Sequence, residues 1–101
     1  MPADFIVLPE AEQDIAESYA WYEEQEPDLG ERFLRCVDAC ISSIRKTPKL
    51  HAIAHQTYRR ALVRRFPYAI FYEYEEHRKQ IVIYSVFHCA QDPEKWRGRL
   101  P

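Results

Sequence analysis

The sequence predicts an α+β domain of order β-α-α-β-β-β, with a helical hairpin packed on one face of a largely antiparallel sheet. Three observations carry this prediction. Apolar residues recur at three- and four-residue steps through two consecutive stretches of the first half. β-Branched and aromatic residues dominate three shorter stretches of the second half. Pro9, Pro27, Gly30, Pro48 and Pro67 fall at the joints between these stretches. With 101 residues, 47% of them apolar, the chain suffices for one domain spanning 1–101 that buries roughly two-thirds of its unfolded surface.

Asp4 to Leu8 is a short strand-forming run ended by Pro9, a residue tolerated in the first turn of a helix. From Pro9 to about Gln25, Ala11, Ile15, Ala16, Tyr19 and Tyr22 make one helical face and glutamates fill the other. Glu26-Pro27-Asp28-Leu29-Gly30 turns the chain. Leu29, Phe33, Cys36, Val37, Cys40, Ile41 and Ile44 then mark a second helix that ends at Lys46-Thr47-Pro48. So short a link makes the two helices an antiparallel hairpin. Pro48 to Gln56 has no usable periodicity. Strands are expected at Tyr58 to Val63, Tyr68 to Tyr74 and Ile81 to Phe87, the last apolar on both faces as suits a central strand. Pro93 to Leu100 can form one or two helical turns, with Asp92 as N-cap.

The net charge of −2 conceals a segregation. Residues 1–31 hold ten carboxylates and no lysine or arginine, whereas residues 32–101 hold all fourteen basic side chains against six acidic ones. A cationic surface of this kind attracts nucleic acid or an acidic protein partner. No run approaches the roughly 20 apolar residues of a membrane span, and the Met1-Pro2-Ala3-Asp4 start lacks the basic opening of a signal peptide, so a cytoplasmic protein without membrane contact is expected. The three cysteines do not form a disulfide framework. Cys36 and Cys40 fall on an apolar helical face and read as core residues, so no metal and no cofactor is expected.

Two clusters are candidates for function. Arg59, Arg60, Arg64 and Arg65 can each hold a phosphate or carboxylate through a planar fork. On a regular strand from Tyr58 to Arg65, Arg60 and Arg64 share one face and Arg59 and Arg65 the other, and cations can also simply protect an edge strand. His88, where a strand ends, can transfer protons near neutral pH, with Tyr72, Tyr74 or Tyr84 assisting and Arg65 stabilising phosphorane charge. Alternatively His88 caps the strand against the Gln91-Asp92 turn and Trp96 folds back as a hydrophobic plug. Trp96 with Lys95, Arg97 and Arg99 is expected to mark an interaction surface, tryptophan and arginine being prominent at interfaces. His51, His55 and His77 are expected in exposed loops.

Three blocks carry a family resemblance: Tyr22-Glu23-Glu24-Gln25-Glu26-Pro27-Asp28-Leu29-Gly30-Glu31-Arg32-Phe33, Arg64-Arg65-Phe66-Pro67-Tyr68-Ala69-Ile70-Phe71-Tyr72, and Val86-Phe87-His88 with Asp92-Pro93-Glu94-Lys95-Trp96. Over nearly the whole chain the sequence resembles the RelE/ParE superfamily, the toxin halves of type II toxin-antitoxin modules, some of them plasmid-stabilisation systems. The resemblance implies a cognate antitoxin that wraps the toxin, and it leaves open a homodimer or a toxin–antitoxin hetero-oligomer. RelE-like members cut mRNA on the ribosome, ParE-like members inhibit DNA gyrase, and some relatives bind an antitoxin without toxicity.

Ribonuclease members similar to RelE place an arginine where this chain has Ala69, and a further cationic or acid–base residue near Cys89 and Ala90. His88, Asp92-Pro93 and Trp96 are more similar to ParE-like members, although many of those have an arginine near Gln91. The resemblance therefore implies a binding toxin directed at gyrase. Arg59, Arg60, Arg64, Arg65, Trp96 and Arg97 are the candidates for binding the target or the antitoxin, with His88 and Arg65 the catalytic candidates should it instead be an mRNA endonuclease.

Overall fold

A computed structural model describes residues 3–100. The elements are β1 (Asp4–Val7), α1 (Pro9–Gln25), α2 (Leu29–Lys46), β2 (Ile53–His55), β3 (Tyr58–Leu62), β4 (Tyr68–Glu75), β5 (Gln80–His88) and α3 (Pro93–Arg99). The strands form one sheet in the order β1-β5-β4-β3-β2, with β1 parallel to β5 and the other pairs antiparallel. The sequence prediction omitted β2. Three residues are too few to show an alternating pattern, and β2 exists because its backbone pairs with β3 across a bulge. Among the described residues, no helix is long and apolar enough to cross a membrane.

The helices begin and end where the punctuating residues place them. Pro9 occupies the first turn of α1, where its missing N–H costs no hydrogen bond. At the hairpin corner Asp28 adopts φ 75°, and the Glu23 carboxylate on α1 accepts the Gly30 N–H at 2.7 Å. That bond satisfies one of the unpaired donors at the start of α2. The helices meet so closely there that a Cβ on Gly30 would lie 2.6 Å from Glu23 Cγ and 2.8 Å from the Tyr19 ring. Gly30 therefore sits where a larger side chain does not fit.

Strand alternation builds two cores. Ile70 and Tyr72 of β4, with Ile81, Ile83 and Val86 of β5, pack against Phe33, Val37, Ile41 and Ile44 of α2. On the opposite face Ala69, Phe71 and Phe87 meet Trp96 and Leu100 of the tail. In α3 the Asp92 carboxylate accepts the Glu94 N–H at 3.0 Å, so the tail helix starts at the residue its cap predicts. The β4–β5 register jumps between Phe71 and Tyr72, leaving Tyr84 as an extra residue in β5.

Candidate functional site

The four arginines predicted as a cluster separate into three roles. Strand β3 ends at Leu62, one residue short of the expected Val63, so Arg64 and Arg65 lie beyond the strand and the pairing of faces that a regular strand to Arg65 would give does not apply. Arg59, on the helix side of β3, donates to the carbonyls of His51 at 2.6 Å and Lys49 at 3.1 Å. Its Nη1 makes both bonds and anchors the loop after α2, which Tyr72 also holds by donating its hydroxyl to Pro48 O at 2.7 Å. Arg60 is exposed beside Phe71's register position on the α3 face. Arg64 and Arg65 lie in the β3–β4 turn, and Arg65 has φ 69°, a left-handed conformation that a non-glycine residue adopts at a cost.

That turn forms one wall of a cleft of about 1090 Å³, and α2 forms the other. Arg32 and Arg35 from α2 face Arg64 and Arg65 across it. Leu29, Cys36, Cys40 and Phe66 supply apolar lining, and Ala39 and Ser43 are small enough to leave it open. Among the described residues Arg32, Arg64 and Arg65 have no carboxylate partner, while Arg35 reaches Asp28 only at 4.0 Å with both side chains largely exposed. Four arginines thus line one cleft almost uncompensated. Arg32 and Arg35 were not among the predicted site residues. Their signal was their three-residue spacing on the polar face of α2, in line with the small Ala39 and Ser43.

His51, predicted exposed, is half-buried in the cleft wall. Its Nε2 is buried without a partner among the described residues. Burial and then the nearby Arg59 charge push its pKa below the usual histidine value, so the ring is neutral at neutral pH. His55, also predicted exposed, is half-buried in β2 with its ring 6.2 Å from Trp96. His77 is exposed.

His88 closes β5, and its Nδ1 accepts the Ala90 N–H at 3.0 Å. Its ring stands edge-on to Tyr68 with centroids 5.2 Å apart. His88 is not among the residues that line the arginine cleft. Two of the phenols named as its assistants are engaged elsewhere. Tyr72 is fully buried and pushed up to about 12 by that burial, while Tyr84 stacks edge-on to Tyr58. Ala69 is buried beneath the tail, and Cys89 is exposed.

Trp96, expected on an interaction surface, is 9% exposed and stacked on Phe71 at 4.5 Å. The sheet's second face would otherwise leave Phe71 and Phe87 in water, and burying them claims the tryptophan. Arg97 stays exposed above the Trp96 ring at 5.3 Å and pairs with Glu94 at 3.6 Å. Cys40 is buried, donates toward Leu62 O at 3.6 Å and is pushed up to about 11 by burial. Among the described residues, no group of three or more His, Cys, Asp or Glu side chains could hold a metal.

The family model described as "ParE toxin of type II toxin-antitoxin system, parDE" matches residues 5–93. No curated protein matches the sequence significantly. Among solved structures, the chromosomal ParDE toxin-antitoxin system from P. aeruginosa superposes with a TM-score of 0.74 at 13% identity, covering 85% of this chain and 95% of that one. The toxin-antitoxin complex RelBE2 from Mycobacterium tuberculosis superposes with a TM-score of 0.66 at 19% identity, covering 90% and 95%. At these identities the two structures speak to the fold alone.

Proposed function

The chain belongs to the ParE toxin family of type II toxin-antitoxin systems, and from that premise we propose that it acts by binding, inhibiting DNA gyrase until a cognate antitoxin neutralises it. One observation carries the choice of binding over cutting: the Nδ1 of His88 is engaged with the Ala90 N–H, and the ring lies outside the cleft where the guanidiniums gather. RNA cleavage by general acid–base transfer needs a proton-transfer group within hydrogen-bond reach of the 2′-hydroxyl while cations hold the phosphate. Here the imidazole is not among the side chains that line the cleft with the cations. Ala69 and Ala90 offer no charge where RelE-like nucleases carry it. An inhibitor of gyrase needs only a surface that docks, and the exposed arginines suit that task.

A supercoiling assay with purified toxin, gyrase and relaxed plasmid tests the reading. Inhibition that added antitoxin reverses supports it. Unimpaired supercoiling, together with transcripts cut on translating ribosomes, would replace it with the nuclease reading.

A further inference from the structure

We propose that two copies of this chain associate through β1, the two strands pairing antiparallel across a twofold axis at Ile6 so that their sheets become continuous. The inference goes beyond the target reading and does not depend on it. It starts from the register. β1 runs parallel to β5 with Phe5 opposite Ile81 and Val7 opposite Ile83, and the Leu8 N–H donates to Ile83 O at 3.1 Å. In a parallel ladder that bond turns the N–H and C=O of Ile6 toward β5 and those of Phe5 and Val7 outward. Among the described residues these outward groups have no hydrogen-bond partner. Further along the same side, where β5 itself lies open, the fold supplies an acceptor, since Asp14 takes the Val86 N–H at 2.9 Å. β1 has no such cap, and it carries no lysine, proline or bulge of the kind that guards an edge. The other edge strand, β2, has three residues and a bulge. On β1, Phe5 and Ile6 stand 39% and 44% exposed.

A second copy fits this edge in one register. Outward groups two residues apart match under twofold rotation, so Phe5 pairs with Val7 of the second copy and Val7 with its Phe5, each pair exchanging both N–H···O bonds. Ile6 then faces its own copy in a non-hydrogen-bonded pair, with Cα atoms about 4.5 Å apart, and the two exposed isoleucines bury each other. Charge agrees with this register. Arg45 lies over the Phe5 ring at 4.9 Å, and Glu12 stands in the first turn of α1, just after Val7. Both line a cleft of about 330 Å³ beside β1, and neither has an ion-pair partner among the described residues. Setting Phe5 against Val7 of the second copy brings Arg45 toward Glu12 on each side of the axis. A strand from a strongly acidic protein would instead meet Glu12 and Asp38 in the same cleft, so the mixed charge selects a second copy.

Sedimentation equilibrium of the full chain tests the pairing. Wild type is expected to follow a monomer–dimer equilibrium with a Kd on the order of 10 µM, as suits a small interface. Ile6→Lys changes an exposed side chain and sets two like charges on the axis, so it should weaken the dimer by about 30-fold or more with Tm unchanged. Glu12→Lys should weaken it about fivefold, and adding Arg45→Glu should restore it. In a Cys89→Ser background, mild oxidation should cross-link Ile6→Cys, which faces itself, and leave Phe5→Cys, which faces Val7, as single chains. The proposal is overturned if wild type remains monomeric about tenfold above that Kd, if the dimer survives Ile6→Lys, or if Phe5→Cys cross-links as readily as Ile6→Cys. A chain that is monomeric alone and fills this edge only with an added antitoxin overturns it as well.

Discussion

The carboxylate of Asp14 on α1 and the guanidinium of Arg99 on α3 meet at 2.7 Å, 85 residues apart in the chain. The second Asp14 oxygen accepts the Val86 N–H at 2.9 Å. Strand β1 pairs with β5 only as far as Ile83, so Val86 lies where β5 has no neighbouring strand on that side. Asp14 therefore supplies the acceptor that a strand would have supplied, and the same group ties down the tail that covers the sheet's other face. Arg99 also lies over the Phe87 ring at 4.9 Å.

Replacing Asp14 by alanine leaves a part-buried N–H and a guanidinium without their shared acceptor. Hydrogen bonds to a charged group contribute about 1.5–3 kcal/mol each when deeply placed, less here because Arg99 is partly exposed. We expect a loss of about 2–3 kcal/mol, which lowers Tm by roughly 10 °C or more. Asp14→Asn, which can still accept from Val86, should lose about half as much. Thermal melts followed by circular dichroism measure both, and equal melting of wild type and Asp14→Ala would dismiss the latch.

Gly30 and Gly98 make a matched pair. Alanine is the better helix former by up to about 1 kcal/mol, and at Gly98 an added Cβ meets nothing within 4 Å, so Gly98→Ala should be neutral or slightly stabilising. At Gly30 the same methyl would sit 2.6 Å from Glu23 Cγ, so the hairpin must part and the Glu23–Gly30 bond lengthen. Overpacking of this kind costs about 1–3 kcal/mol. Urea titration should show a lowered midpoint for Gly30→Ala and an unchanged or slightly raised one for Gly98→Ala.

The two tryptophans report different environments. Trp21 is 56% exposed, whereas Trp96 is stacked on Phe71. Acrylamide should quench Trp21 readily and Trp96 hardly at all, which the single variants Trp21→Phe and Trp96→Phe resolve. Trp96→Ala should destabilise by about 3 kcal/mol, because it empties the centre of the smaller core. A freely quenched Trp96 in the folded protein would be inconsistent with the docked tail.

Alkaline stability follows from two phenols. Burial is the first cause that pushes Tyr22 and Tyr72 up from 10.0 to about 12. Below pH 10 both are protonated in the folded and unfolded chains, and stability is fully present. Above it the unfolded chain ionises first, so stability declines between about pH 10 and 12, at up to about 1.4 kcal/mol per pH unit for each phenol. Ultraviolet titration should show Tyr22 and Tyr72 ionising last among the seven tyrosines. If all seven ionise together near pH 10 while the chain remains folded, the burial argument fails.

Much of the fold was legible because local rules agree with the tertiary result. Pro9, Gly30 and Pro48 mark helix ends by steric rules that act within a few residues, and Asp92-Pro93 marks the start of α3 in the same way. Strand β2 was not legible, since pairing with β3 defines it and no pattern of its own does. The site was legible only in composition. Arg64 and Arg65 stood out, but their meeting with Arg32 and Arg35 depends on where a turn and a helix are brought together in space. Trp96 was ambiguous between plug and surface until the tail's docking onto Phe71 decided it. Asp14 looked like one more solvated acid of α1, and nothing near it in sequence points to Val86 or Arg99.

The proposed function requires a toxin that binds and does not cut, with His88 serving the turn rather than a reaction. The most direct measurement is the growth arrest caused by induced His88→Gln toxin, set beside its affinity for the antitoxin. Arrest and affinity both close to wild type are predicted. Abolished arrest with undiminished antitoxin binding would contradict the account and assign His88 to catalysis.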